Sequence, residues 1–223
     1  MKSMKGQQSG FTLVEIAIVL VIIGLLLGGI LKGQELINSA KVKNLAQDFK
    51  TIPLYIYGYQ DRFKALPGDD RNVTTNIPTS SPGPAGTIGN GVIEGDWQSE
   101  TITDESFLFW QHVRMAGFAP GATTFASAPD LAAYLPKNVE GGRTGITGGA
   151  STPITGLRGT YIFCSSGLLG KYAKQLDATL DDGKTDTGSI MVRANMIPGA
   201  GVAVPLGNAG VDDTLSYTVC MGF

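Results

Sequence analysis

The chain has 223 residues, enough for one domain of ordinary size beside a separate helix. Its 17 basic residues stand against 19 acidic ones, which excludes the broad basic footprint of a general nucleic-acid binder. A single histidine excludes a multi-histidine zinc centre.

The first element is the most informative. Residues 5–31 read KGQQSG and then FTLVEIAIVLVIIGLLLGGIL. A short basic leader ends in Gly10, Phe11 follows, and an apolar run of about twenty residues carries one acid, Glu15. About 20 residues at roughly 1.5 Å each cross a hydrocarbon core of about 30 Å, so the run predicts a membrane-spanning helix. A lone carboxylate at such depth costs on the order of 2.5–3.5 kcal/mol and calls for a partner. Two plainer readings compete. A secretory signal peptide has a shorter apolar region and an A-x-A-like cleavage site, which is missing after this run. In a plain signal anchor, Glu15 would snorkel to the headgroups from about 6 Å along the helix.

The sequence Gly10-Phe11-Thr12-Leu13-Val14-Glu15 resembles the processing site of the type IV pilin and type II secretion pseudopilin family. The resemblance covers the first tenth of the chain. It implies that a prepilin peptidase cuts after Gly10 and methylates the new amine of Phe11. Glu15 is then the fifth mature residue and pairs with the Phe11 amine of a neighbouring subunit during assembly. A cation beside Glu15 satisfies both charges, and either alone is costly to bury. The resemblance also implies the orientation, N-terminus cytoplasmic and domain periplasmic. Loop charge is a weak guide here, because Lys2 and Lys5 are opposed by Lys32, Lys41 and Lys43.

After Leu31 the helical period continues. Val42, Leu45, Phe49, Ile52, Ile56, Tyr59, Phe63 and Leu66 form one apolar stripe, with Lys41, Lys43, Asp48, Lys50, Gln60 and Lys64 off it. The stripe keeps its phase across Pro53, which predicts a kink rather than a break. Continuous helix from Phe11 to Leu66 would measure about 84 Å. Leu66-Pro67-Gly68-Asp69-Asp70 is turn chemistry and ends it. Residues 59–70, YQDRFKALPGDD, also resemble the stretch after the helix in a group of large pilin-like proteins. The expected organisation is a leader over 1–10, a transmembrane and filament-core helix over 11–31, its amphipathic continuation over 32–66, and a globular domain over 67–223.

Residues 71–97 are rich in Gly, Pro, Ser, Thr and Asn and predict a long loop, with short hairpins at Gly89-Asn90-Gly91. Thr103 or Asp104 caps a helix from Glu105 to Ala116, closed by Gly117. Its Phe107, Phe109, Trp110, Val113 and Met115 read as core, and His112 beside them as a structural histidine. Ser127 and Pro129 start a further short helix ending near Pro136. Residues 141–156 read as loop. Thr160–Cys164, Ser189–Ala194 and Leu215–Cys220 are strand candidates around an amphipathic helix, Gly167–Leu180, which carries Leu169, Tyr172, Leu176 and Leu180 on one face. The pattern suits an α+β pilin-like fold, a long N-terminal helix packed on a small antiparallel sheet. In the oxidising compartment that the resemblance implies, Cys164 and Cys220 pair and tie the first of these strands to the last. Two buried thiols are the alternative.

No catalytic constellation is present. There is no G-x-S-x-G elbow, and Gly145-Ile146-Thr147-Gly148-Gly149 lacks the Lys-Ser/Thr ending of a phosphate loop. The expectation is a protein without catalytic residues, resident metal or cofactor. One cluster, Asp181, Asp182, Asp186 and Thr187 in DDGKTDT, offers oxygen ligands around a glycine turn, with Asp212-Asp213 as a second candidate for calcium. Some pseudopilins carry a calcium loop near the C-terminus, whose local pattern is not matched here. A helix C-cap and a polar turn are the plainer reading of DDGKTDT.

The expected function is that of a structural subunit of a type IV pilus-like filament, with a type II secretion pseudopilin as the alternative. The expected partners are prepilin peptidase, further copies of the chain and related pilins, the inner membrane and its assembly machinery. Before assembly the chain is expected in the inner membrane, and afterwards in a periplasmic or cell-surface filament. From another class, a membrane-anchored periplasmic binding domain that never polymerises has no need of Glu15.

Overall fold

A computed structural model describes residues 12–78, 80, 81, 83, 87–124, 131, 133–195 and 205–223. The chain divides into two units, Met1–Ala40 and Lys41–Phe223. One helix, α1 (Leu13–Phe63), runs through both, with Pro53 inside it. In the second unit α1 buries Val42, Leu45, Ala46, Phe49, Ile52, Ile56 and Tyr59, the stripe expected from the 3.6-residue period. It ends at Phe63, three residues before the expected Leu66, because Lys64 takes a left-handed backbone with φ of 55°.

The ALPGDD segment that follows is a clamp. Gly68 has φ of 94° and presses against the Glu105 carbonyl, where any Cβ would lie 2.5 Å away. The Asp70 carboxylate accepts from Tyr59 Oη at 2.8 Å, from the Asn72 amide at 2.8 Å and from Asn76 Nδ2 at 2.8 Å. The Asp69 carboxylate accepts from the backbone N–H groups of Gly89, Asn90 and Gly91. Residues 89–91 thus form a turn wrapped on Asp69 rather than the expected hairpin. The long 71–97 stretch also carries a one-turn helix, α2 (Val73–Asn76).

Helix α3 (Glu105–Met115) starts after Asp104, as expected. Every residue of it from Glu105 to Arg114 is shielded from water. Its end is a Schellman arrangement, with Phe118 N–H donating to the Val113 carbonyl and Gly117 N–H to that of Arg114. The buried His112 is held at both nitrogens. Its Nδ1 accepts from Gly68 N–H at 2.9 Å and its Nε2 lies 2.8 Å from the Ser81 carbonyl, so the neutral ring bridges two loops. Burial lowers its pKa and keeps it neutral. Glu105 is fully buried beside Glu94, and burial pushes its carboxyl up to about 8. Of the expected helix after Ser127, the start lies outside the described residues. Leu131, Ala133 and Tyr134 are helical.

Four antiparallel strands complete the second unit: β1 (Thr144–Gly148), β2 (Tyr161–Leu169), β3 (Ile190–Ala194) and β4 (Ser216–Gly222), in the order β1-β2-β4-β3. A helix, α4 (Gly170–Leu180), follows β2 directly. Phe49 of α1 meets Phe163 of β2 edge-on, with centroids 4.9 Å apart, at the junction of helix and sheet. The core gathers apolar side chains of α1, α3, α4 and the sheet. The architecture is α+β, as the pattern of elements suggested.

Two further expectations are corrected. Residues 141–156 are not all loop, since they contain β1 and a 3-10 turn, Gly149–Ser151. Gly145 faces the Trp97 carbonyl, which would lie 1.8 Å from any Cβ, so this strand needs glycine for a close backbone approach. Gly145→Ala should therefore destabilise the domain by about 1–3 kcal/mol through forced displacement. Chemical unfolding of the purified protein checks it, and an unchanged midpoint would show that residue 97 moves freely. The second correction concerns Gly167–Leu180. Its first three residues belong to β2, which continues past a register shift between Ser165 and Leu168 where Gly167 has φ of 72°.

Cys164 and Cys220 are bonded. They sit directly opposite each other in β2 and β4, with Cα atoms 4.1 Å apart. The bond ties two neighbouring strands at the middle of the sheet, packed among Trp97, Ile154, Leu157, Ile162 and Met191.

Candidate functional site: the N-terminal helix

The apolar half of α1 offers a surface without cover. Every residue from Thr12 to Lys32 is exposed, including Leu13, Ile18, Val21, Ile22, Leu25, Leu26 and Leu31. The most apolar 18-residue window of the helix has a mean hydropathy of 2.8. An apolar surface of that extent needs lipid or other helices around it.

At its start Thr12 and Glu15 form a reciprocal cap. Thr12 N–H donates to Glu15 Oε2 at 2.8 Å, as does Thr12 Oγ1 at 2.8 Å, and Glu15 N–H donates to Thr12 Oγ1 at 3.3 Å. This is a capping box, in which the residue before the helix and its third residue satisfy each other's backbone donors. The T-x-x-E spacing of Thr12-Leu13-Val14-Glu15 is the sequence signal for it. Glu15 therefore has a local use in any helix that begins here, anchors included. The other processing and assembly residues, Gly10 and Phe11, lie outside the described residues.

The remaining candidates are placed as follows. Asp181, Asp182 and the unforeseen Asp177 come together at the end of α4, with ligand oxygens within 4.8 Å of one another. At the second calcium candidate both acids have local partners: Asp212 accepts from Thr214 N–H and Oγ1, and Asp213 pairs with Lys174 at 3.0 Å. Asp213 has no part in a ligand cluster among the described residues.

No curated protein and no solved structure matches the chain. The family model described as the prokaryotic N-terminal methylation motif matches residues 5–31. That span takes in residues 5–10 of the expected leader, Gly10 and Phe11, the capping box and the exposed apolar run to Leu31. The chain thus carries at its N-terminus the signature of type IV pilins and pseudopilins, the substrates of prepilin peptidase.

Proposed function

We infer that the chain is a structural subunit of a type IV pilus-like filament. A prepilin peptidase cuts between Gly10 and Phe11 and methylates the Phe11 amine. The precursor waits in the inner membrane, N-terminus cytoplasmic and domain periplasmic. The residues after Phe11 then leave lipid for a core built from the same helix of other copies. The observation that carries this reading is the methylation motif, joined to a fully exposed apolar run that opens on an acid. A pseudopilin shares the processing and the packing, and differs in the system that polymerises it. The membrane-anchored domain is the second reading, with which the capping box is equally compatible, since Thr12 gives Glu15 a local role in either case.

The mature N-terminus tests the first step. Mass spectrometry of assembled material should find chains beginning with methylated Phe11. Gly10→Lys should abolish the cut, because the protease must approach an unencumbered backbone. An intact leader in assembled filaments would refute processing, and monomeric protein in cells with a complete assembly system would favour the anchor.

A further inference from the structure

We propose that Glu94 and Glu105 share one proton and form a pH-operated latch that holds residues 87–97 against α3. Two carboxylates repel each other, and a carboxyl group donates a hydrogen bond only while it keeps its proton. Glu105 is fully buried at the first position of α3, and its side chain hydrogen-bonds to that of Glu94. The other contacts of the pair come from donors. Glu105 Oε2 accepts from Glu94 N–H at 3.0 Å, and Glu94 Oε1 accepts from Asn90 Nδ2 at 2.5 Å. The remaining oxygens, Glu105 Oε1 and Glu94 Oε2, are both buried, and no N–H or hydroxyl among the described residues donates to either. One proton between the two carboxyls satisfies both oxygens at once.

The surrounding charges oppose full ionisation. Asp69, whose carboxylate takes the amides of Gly89, Asn90 and Gly91, adds its negative field to that of Glu94. Asp70 beside it is tied to Tyr59, Asn72 and Asn76. Asp104 accepts from Ser99 Oγ at 2.6 Å, and Asp96 from the Gln98 amide at 2.7 Å. Residues 77–88, which pass Glu105 at Gly83, carry no titratable side chain, and β1 carries none. Arg71 gives its guanidinium to the Ile88 carbonyl, and His112, about two turns along α3, is held neutral. The positive end of α3 favours an ionised Glu105. Burial outweighs it and pushes the carboxyl up to about 8.

The latched segment covers the sheet. Gly148 N–H donates to the Ile93 carbonyl at 2.8 Å, Thr147 Oγ1 donates to the Gly95 carbonyl at 2.8 Å, and the Trp97 carbonyl lies against Gly145. β1 is an edge strand, so residues 93–97 shield an edge otherwise open to pairing. Loss of the shared proton leaves two buried anions side by side, and the cover of β1 loosens from α3. An ordinary glutamate releases its proton near 4.5 and Glu105 near 8. Between those pH values the folded chain keeps a proton that the unfolded chain has lost. Stability therefore falls as pH rises through that window and levels off above it.

Infrared spectra of the detergent-solubilised full chain, recorded in EDTA to exclude divalent cations, test the shared proton. A protonated-carboxyl band should persist at pH 7, vanish with a midpoint near 8 and be missing from Glu105→Gln. Glutamine keeps a donor toward Glu94 at every pH. The Tm of Glu105→Gln should match the wild type at pH 6 and exceed it by about 5–10 °C at pH 9. Glu94→Gln supplies the donor from the other side and should flatten the pH profile in the same way, so the result does not depend on one variant folding. At pH 9, amide exchange of residues 87–97 and of β1 should be about tenfold or more faster in the wild type than in Glu105→Gln. Absence of the protonated band at pH 7 in the wild type would overturn the proposal. So would parallel Tm profiles in the wild type and both variants, or equal exchange at pH 9.

Discussion

Replacing Cys164 and Cys220 together by alanine should cost about 4 kcal/mol of stability and lower Tm by on the order of 10 °C. The bond joins positions 56 residues apart and closes a loop that contains α4 and β3. In the unfolded chain that loop is long, so the entropy removed by the cross-link is near the upper end of what one disulfide supplies. Its place adds to the effect. β2 and β4 are the sheet's two inner strands, so a loosened β2–β4 pair divides the sheet in two. Both cysteines are fully buried, and alanine would also leave small voids among Trp97, Ile162 and Met191. Thermal unfolding of the two proteins with and without reductant measures the difference. The reduced wild type should approach the double variant. Labelling of both thiols in native, unreduced protein, or an unchanged Tm, would contradict the bond's role.

What the sequence revealed depended on how the burial was achieved. The α1 stripe was legible because a helix lying on a core repeats its apolar residues every three or four positions, and Val42 to Tyr59 did so without error. Helix α3 was legible from its aromatic density, and β3 and β4 from β-branched and apolar runs. β1 was hidden because TGITG has the composition of a turn. Its glycines serve the neighbouring segment 92–97, whose carbonyls lie against them, and nothing local in a sequence reports such long-range contact. The end of β2 was hidden by its bulge, where Gly167 looked like a boundary and was a kink inside a strand. The site divided in the same way. Residues 5–31 were recognisable from a local pattern, since a protease reads an extended peptide and a membrane reads composition. Asp177 sits next to Leu176 in an ordinary amphipathic helix, four residues before Asp181, and its full burial follows from the fold and not from the local pattern.

Glu15→Gln should leave membrane insertion and cleavage intact and reduce filament yield by about a hundredfold or more. The choice of glutamine follows from the capping box. Gln serves as well as Glu at the third helical position, so the hydrogen bonds with Thr12 can persist and the helix start is preserved. What glutamine lacks is the charge. In a membrane monomer Glu15 lies close enough to the surface to reach water or headgroups, and the charge is tolerated. In a filament core those partners are gone. The two donors of Thr12 steady the carboxylate but do not neutralise it, and no basic residue stands between Thr12 and Leu31. The proposed cleavage would supply a cation, the amine of Phe11. Glu15 leans toward the N-terminal end of its helix, where the amine of a neighbouring subunit staggered along the axis can be brought beside it. Removing one partner of such a pair leaves the other buried and alone, at a cost of about 3–5 kcal/mol per contact. Glu15→Ala should lose assembly equally and also weaken the helix start by about 1 kcal/mol. The two variants separate the possible roles of Glu15. If both fail to assemble after normal cleavage, the charge is what docking requires. If glutamine assembles at wild-type yield while alanine does not, the cap is what matters and the charge pair is refuted. Filament yield, measured in cells without wild-type subunit and set against mature protein in the membrane fraction, distinguishes these outcomes.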